Sequence, residues 1–251
     1  LLKNNGILPL GRDIRGIGVF GPVAADFDVL LGNYNGQPAE MVTLVEGLTA
    51  AAGPAMYVNH LDACHLYKPG PIKRSINWMV GQVDVCIATV GISPLLEGEE
   101  GDAVEAAESD GSGDRTGLGL PGSQKLLLTT LKEKGKPLIV VVTGGSPLDL
   151  AWAQEHADAV LMCWYPGQQG GHAVADVIFG DYNPAGRLPL TFPRSLDQLP
   201  PFTEYAMAGR TYRYMQAEPL YRFGYGLSYT TFRYDGFEAQ QGPAGLSVSF
   251  S

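Results

Sequence analysis

Positive charge is scarce in this chain. Against 26 Asp and Glu it carries 17 Lys and Arg, a formal net charge of −9. That balance repels phosphate backbones and anionic headgroups, which removes nucleic acid and membrane surfaces from the expected partners. Long apolar runs are missing too, and none approaches the roughly 20 residues that a membrane-spanning helix needs. Cysteine is sparse: Cys64, Cys86 and Cys163 are the whole supply. They make neither a metal pair nor an obvious disulfide set, and leave the redox compartment open; Cys86 and Cys163 lie in apolar runs and read as small core residues. His60, His65, His156 and His172 show no H-E-x-x-H or other ligand spacing, which argues against a catalytic metal. For His60 and His65 beside Cys64, polar loop side chains are the default. No G-x-S-x-G occurs, so Ser109, Ser112 and Ser123 lack a nucleophile elbow.

What is present is the composition of a folded domain. Hydrophobic residues make up 45% and charged ones 17% of 251 residues, enough for one large α/β domain or one domain plus a fragment. The chain starts LLKNNGILPL without Met or signal peptide and stops at GLSVSFS amid alternating, strand-like sequence. Both ends predict a piece of something longer.

Strand and helix signals alternate. Strands are expected at 16–20, 55–58, 83–90, 137–143 and 159–164. Helices are expected at 40–52, 72–80, 121–133, 147–156 and 171–179. The run PLIVVVT at 137–143 is apolar throughout, as a strand buried on both faces should be. This rhythm predicts an α/β fold, a mainly parallel sheet with helices on both faces. After Gly180 the chain turns to Pro, Gly and aromatics with little period, and from about Phe232 alternation predicts the start of a β domain.

Several motifs have plain explanations. Gly16, Gly18 and Gly21 spell G-x-G-x-x-G, yet they sit within the strand and Pro22 follows, which makes a cofactor role a poor fit. Gly144–Gly145–Ser146–Pro147 resembles an anion-holding helix start, but it lacks the Lys of a phosphate loop and reads better as a capped turn. Aromatics beside arginines in GRTYRY and YRFGYGLSY suit sugar stacking better than bases in an acidic chain. Stapling of a long loop to the core is the reading favoured for most of them.

The stretch 95–124, LLEGEEGDAVEAAESDGSGDRTGLGLPGSQ, is the candidate for chemistry. Glu97, Glu99 and Glu100 fall just past a buried strand, where α/β sheets place reactive groups. Solvated surface charge is the ordinary reading of an acidic run. Alternation along an extended loop puts Glu97 and Glu99 on one side and Glu100 on the other. Arg115 reads as a structural partner that anchors the loop through a bidentate ion pair. The insert between Glu100 and Asp114 is rich in small residues and suits a lid, or an ordinary surface excursion.

The ordered series LLKNNGILPL, LLGNYNG, LEGEE…GDRTGLGLPGSQ, WYPGQQGGHAVADVIFGDYNPAGRLPLTFP, GRTYRY and PLYRFGYGLSYTTF resembles glycoside hydrolase family 3, the β-glucosidases, β-xylosidases and their relatives. The likeness covers residues 1–234 and points to the second, α/β-sandwich domain; residues 235–251 resemble the lead-in to a fibronectin type III-like domain. The resemblance implies a retaining mechanism with two carboxylates on a β-D-glucosyl or β-D-xylosyl substrate, an oligosaccharide or aryl β-glycoside. It implies a nucleophilic Asp on an N-terminal barrel absent from this chain, and an acid/base Glu on the LLEGEE loop. By motif position that role falls to Glu99, with Glu97 second and Glu100 third. Like-charge neighbours would raise the pKa of the donor, as a general acid requires. No metal or organic cofactor is implied, and the family's members are often periplasmic or secreted. VNHLDACHLYKPG at 58–70 and the insert after Glu100 depart from the family pattern. A non-catalytic carbohydrate-binding or assembly domain is the alternative.

Overall fold

The computed structural model describes residues 1–97 and 115–250. Six strands form one mixed sheet in the order β1-β6-β5-β4-β2-β3. They are β1 (Lys3–Asn4), β2 (Gly16–Phe20), β3 (Tyr57–Leu61), β4 (Val85–Gly91), β5 (Leu138–Thr143) and β6 (Ala159–Trp164). All neighbours run parallel except β1, which lies antiparallel to β6. This is the expected α/β architecture, with one edge strand that the sequence reading lacked.

β2, β4 and β5 are buried along their whole length, which is why their sequences are apolar without alternation. Their side chains still alternate between two separate cores. Cys86, Ala88 and Val90 of β4 join Leu138, Val140 and Val142 of β5 on one face. There they meet α2 (Ile76–Gln82), α4 (Gln124–Glu133) and α5 (Ala151–His156) through Ile76, Val80, Leu127, Leu131 and Ala153. Val85, Ile87, Ile139 and Val141 face the other way, against α1 (Leu44–Ala52) and α6 (Gly170–Phe179).

α1 starts later than expected, at a capping box. Thr43 Oγ1 accepts from the Glu46 amide and the Glu46 carboxylate accepts from the Thr43 amide at 2.8 Å, leaving residues 40–42 outside the helix. Where α1 meets α6, a Cβ on Gly47 would lie 2.0 Å from the Gly171 carbonyl carbon, so only glycines permit this approach. The G-x-G-x-x-G residues do similar work: a Cβ on Gly16 would strike the Tyr57 ring and one on Gly21 the Thr89 carbonyl.

Residues beyond Gly180 wrap back over the sheet. Phe192 bridges to Tyr221, and the Tyr221, Tyr225 and Tyr229 hydroxyls donate to Gln154 Oε1 at 2.7 Å, Leu2 O at 3.0 Å and Val177 O at 2.5 Å. YRFGYGLSY is thus a staple, as expected. GRTYRY is not, since Tyr212 and Tyr214 are exposed and Tyr212 stacks on Phe223. The chain's start joins this wrap, the Leu227 amide donating to Leu1 O at 2.8 Å and the Leu2 amide to Val160 O at 2.7 Å. Past it, β7 (Glu238–Gly242) and β8 (Gly245–Ser249) form a separate antiparallel hairpin, exposed throughout.

Candidate active site

The carboxyl ends of β4, β5 and β6 carry the candidate site. β4 ends at Gly91, whose φ of 138° belongs to glycine and whose absent Cβ leaves room for the Thr143 carbonyl. A short helix, α3 (Pro94–Glu97), follows and brings Glu97 to its last position. Glu97 Oε2 accepts from the Gly145 amide at 2.7 Å and from the Tyr165 hydroxyl. The loop after β5 provides the first donor and the residue after β6 the second, so three strand ends converge on one carboxylate. Burial, then the hydrogen bond to Glu97 and its charge, push the Tyr165 phenol above its ordinary range.

Tyr165 is aimed by an unusual backbone. The pairing of β5 with β6 shifts register between Val142 and Thr143, and Trp164 takes a left-handed φ of 56°. A bulky residue there is a genuine outlier that its surroundings must enforce.

Arg115 lies beside this cluster. It donates to Ser146 Oγ at 3.0 Å and to Gly117 O at 2.9 Å. The segment 144–147, read from the sequence as a capped turn, therefore serves the site twice: through the Gly145 amide on Glu97 and the Ser146 hydroxyl on Arg115. A groove of about 740 Å³ opens next to it, lined by Arg115, Ser146, Pro147, Leu199, Phe202 and Arg210 among others.

Beneath the site sits a residue that the sequence reading passed over. Gln124, fully buried at the start of α4, accepts from the Gly91 amide and donates to Gly91 O and Leu66 O, each at 2.7 Å. Ser123 beside it is structural, exchanging hydrogen bonds with Gly70 N and O at 2.8 and 2.6 Å. A polar Gln at the head of a helix with an apolar face was the available signal.

Of the expected site residues, Glu97 is placed as described, while Glu99, Glu100 and Asp114 lie outside the described residues. His65 Nδ1 accepts from the Tyr67 and Lys68 amides and so shapes a turn. His60 Nε2 is buried 3.3 Å from Asp62 without hydrogen-bond alignment, and burial lowers its pKa against the pull of Asp62. Among the described residues no group of three or more His, Cys, Asp or Glu is arranged to hold a metal, and no helix is long and apolar enough to cross a membrane.

Residues 1–229 match the family model described as the glycosyl hydrolase family 3 C-terminal domain. The chain belongs to glycosyl hydrolase family 3. A family-3 relative from Salmonella typhimurium, a periplasmic β-glucosidase, is 37% identical across 92% of this chain and 33% of its own length. A β-xylosidase of Formosa agariphila is 35% identical over 93% of the chain and 33% of that protein. Among solved structures, a family-3 exo-β-xylosidase in complex with a xylobiose aziridine probe superposes with a TM-score of 0.82 at 31% identity, covering 94% of this chain and 30% of the other. The chain thus spans about a third of these relatives.

Proposed function

We propose that this chain is the acid/base-bearing part of a retaining exo-β-glycosidase that removes terminal β-D-glucosyl or β-D-xylosyl residues. The observation that carries the reading is the rooting of the acidic loop at the carboxyl ends of three parallel strands, beside a groove within the usual range of small-molecule sites, ~300–1,000 Å³. The relatives support it from both sides, since they include proteins named β-glucosidase and β-xylosidase.

In this reading Glu99 is the proton donor. A retaining mechanism needs a second carboxylate roughly 5–5.5 Å away across the scissile bond, and that nucleophile is an Asp on a barrel domain outside this chain. The nucleophile attacks the anomeric carbon while Glu99 protonates the departing oxygen. Glu99, now a carboxylate, then takes the proton of the water that releases the sugar. Without the nucleophile no glycosyl-enzyme forms, so the isolated chain is inactive. A periplasmic or secreted location accompanies the reading, supported by the name of the Salmonella relative.

The test is Glu99→Ala in the full-length enzyme that carries this chain. Activity on poor leaving groups should fall by roughly 10²–10⁴-fold, with partial recovery in azide. Robust turnover of a chromogenic β-glucoside or β-xyloside by the isolated chain refutes the division of labour. If neither Glu99 nor Glu97 matters to the full-length enzyme, a sugar-binding or assembly role takes its place.

A further inference from the structure

We infer that Glu97 is a positioning residue: fastened by Tyr165 and Gly145, it holds the root of the acidic loop against the ends of β5 and β6 so that the donor two residues on meets its substrate. The inference rests on the glycosidase reading and assigns a role within it.

The hydrogen-bond pattern is the first argument. Among the described residues, both partners of Glu97 Oε2 are donors, one a backbone N–H at 2.7 Å and one a phenol O–H. A general acid must instead present a proton to the leaving group's oxygen. A carboxyl oxygen receiving two donors from its own protein is arranged as an acceptor. Raised by burial and by Glu97 itself, the Tyr165 phenol keeps the proton it donates across any ordinary working pH.

The backbone is the second. Gly145 leaves space that a side chain would fill, and Tyr165 follows a left-handed residue. A Cβ on Gly145 would lie 2.7 Å from Glu97 Oε2, so a larger residue would force the carboxylate off that amide. Tyr165 reaches Glu97 from beside the left-handed Trp164, at the point where β5 and β6 slip register. The Trp164 carbonyl accepts from the Gly144 amide at 3.3 Å, and its ring packs edge-on against Phe192, 6.1 Å between centroids. Strain of this kind persists only where packing over-determines it, and it collects at functional sites.

Placement is the third. α3 is a single turn pinned by the Leu96 and Glu97 amides on Ser93 O, at 3.0 and 3.1 Å. Glu97 is its last residue, so fastening this side chain fixes the end of that turn. A mislaid donor is costly, since a displacement of about 1 Å can lower the rate by roughly 10²-fold.

Conservative and truncating variants of the full-length enzyme separate positioning from proton donation. In Glu97→Gln the amide oxygen still accepts from Gly145 and Tyr165, so kcat should stay within about threefold of wild type, whereas a lost general acid costs roughly 10²–10⁴-fold. Glu97→Ala removes the fastening. Its kcat should fall about 10–100-fold with KM changed less than about threefold, no glycosyl azide should form in azide, and the alkaline limb of the pH profile should remain. Tyr165→Phe should fall between the two. On the isolated chain, the Gly145 amide resonance should shift in Glu97→Ala, which loses the acceptor, and stay close to the wild-type position in Glu97→Gln. The proposal is overturned if Glu97→Gln is as inactive as Glu97→Ala with azide restoring turnover in the latter, if Glu97→Ala behaves as wild type, or if the Gly145 resonance is the same in Glu97→Ala and the wild type. Full activity in Glu99→Ala instead removes the assignment of Glu99, while the Gly145 resonance still reports whether the fastening exists.

Discussion

Replacing Gln124 tests how the frame under the site is held. Its side chain satisfies the Gly91 N–H and C=O, both buried, and the part-buried Leu66 C=O. Deleting one partner of a buried hydrogen bond costs about 1–3 kcal/mol for each group left unsatisfied, with the part-buried carbonyl at the low end. Alanine adds a small cavity term, on the order of 1 kcal/mol. Gln124→Ala should therefore lose about 5 kcal/mol, a large share of the roughly 5–15 kcal/mol that holds a domain folded. At about 2–4 °C per kcal/mol for a chain of this size, the melting temperature should drop by roughly 10–20 °C. Gln124→Leu separates the causes: it refills the space but leaves the backbone groups without partners, so it should recover only about 1 kcal/mol. Calorimetry and urea titration followed by circular dichroism read both variants. If Gln124→Leu melts with the wild type, the three hydrogen bonds contribute little and the reasoning fails.

Three further outcomes follow from the same geometry. Gly91→Ala combines an unfavourable φ with a Cβ 2.0 Å from the Thr143 carbonyl oxygen; it should cost more than about 3 kcal/mol, and a melt within a few degrees of wild type refutes this. Gly47→Ala should pry α1 from α6, costing about 1–3 kcal/mol, read as a lower urea midpoint. Asp158 feels burial, which raises its pKa, yet the Leu138 amide, Asn5 and Lys132 outweigh it and hold the carboxyl below its ordinary value. Such a group stabilises the fold above the unfolded-state pKa of about 3.9, and the benefit fades as pH falls through the lower folded value. Asp158→Asn should accordingly be less stable at neutral pH by about 1 kcal/mol and show a flatter decline of melting temperature below about pH 4; an unchanged acid slope counts against this.

Strands surrounded by packing were legible. Residues 16–20 and 159–164 match β2 and β6 to the residue, and each opens just after a polar residue, Arg15 or Asp158, that is less buried than the strand's start. Edges read less well: β3 lies two residues past its expected start and β1 went unread. Edge strands are half-exposed and carry polar residues such as Asn59 and His60, so composition does not mark them. α5 begins at Ala151, four residues after Pro147, where Asp149 Oδ1 accepts from the Ala151 amide; a local side-chain bond there competes with the helix. At the site, the strand-end position of the acidic loop was readable. The grip of Tyr165 and Gly145 on Glu97 was not, since it joins residues 48 and 68 positions away through a register slip that no local pattern announces.

The hydrogen bonds that draw Leu1 to Leu227 and Leu2 to Tyr225 tie together segments from opposite ends of the matched stretch. Opening one side strips partners from the other, so the two segments should gain and lose protection from hydrogen exchange together.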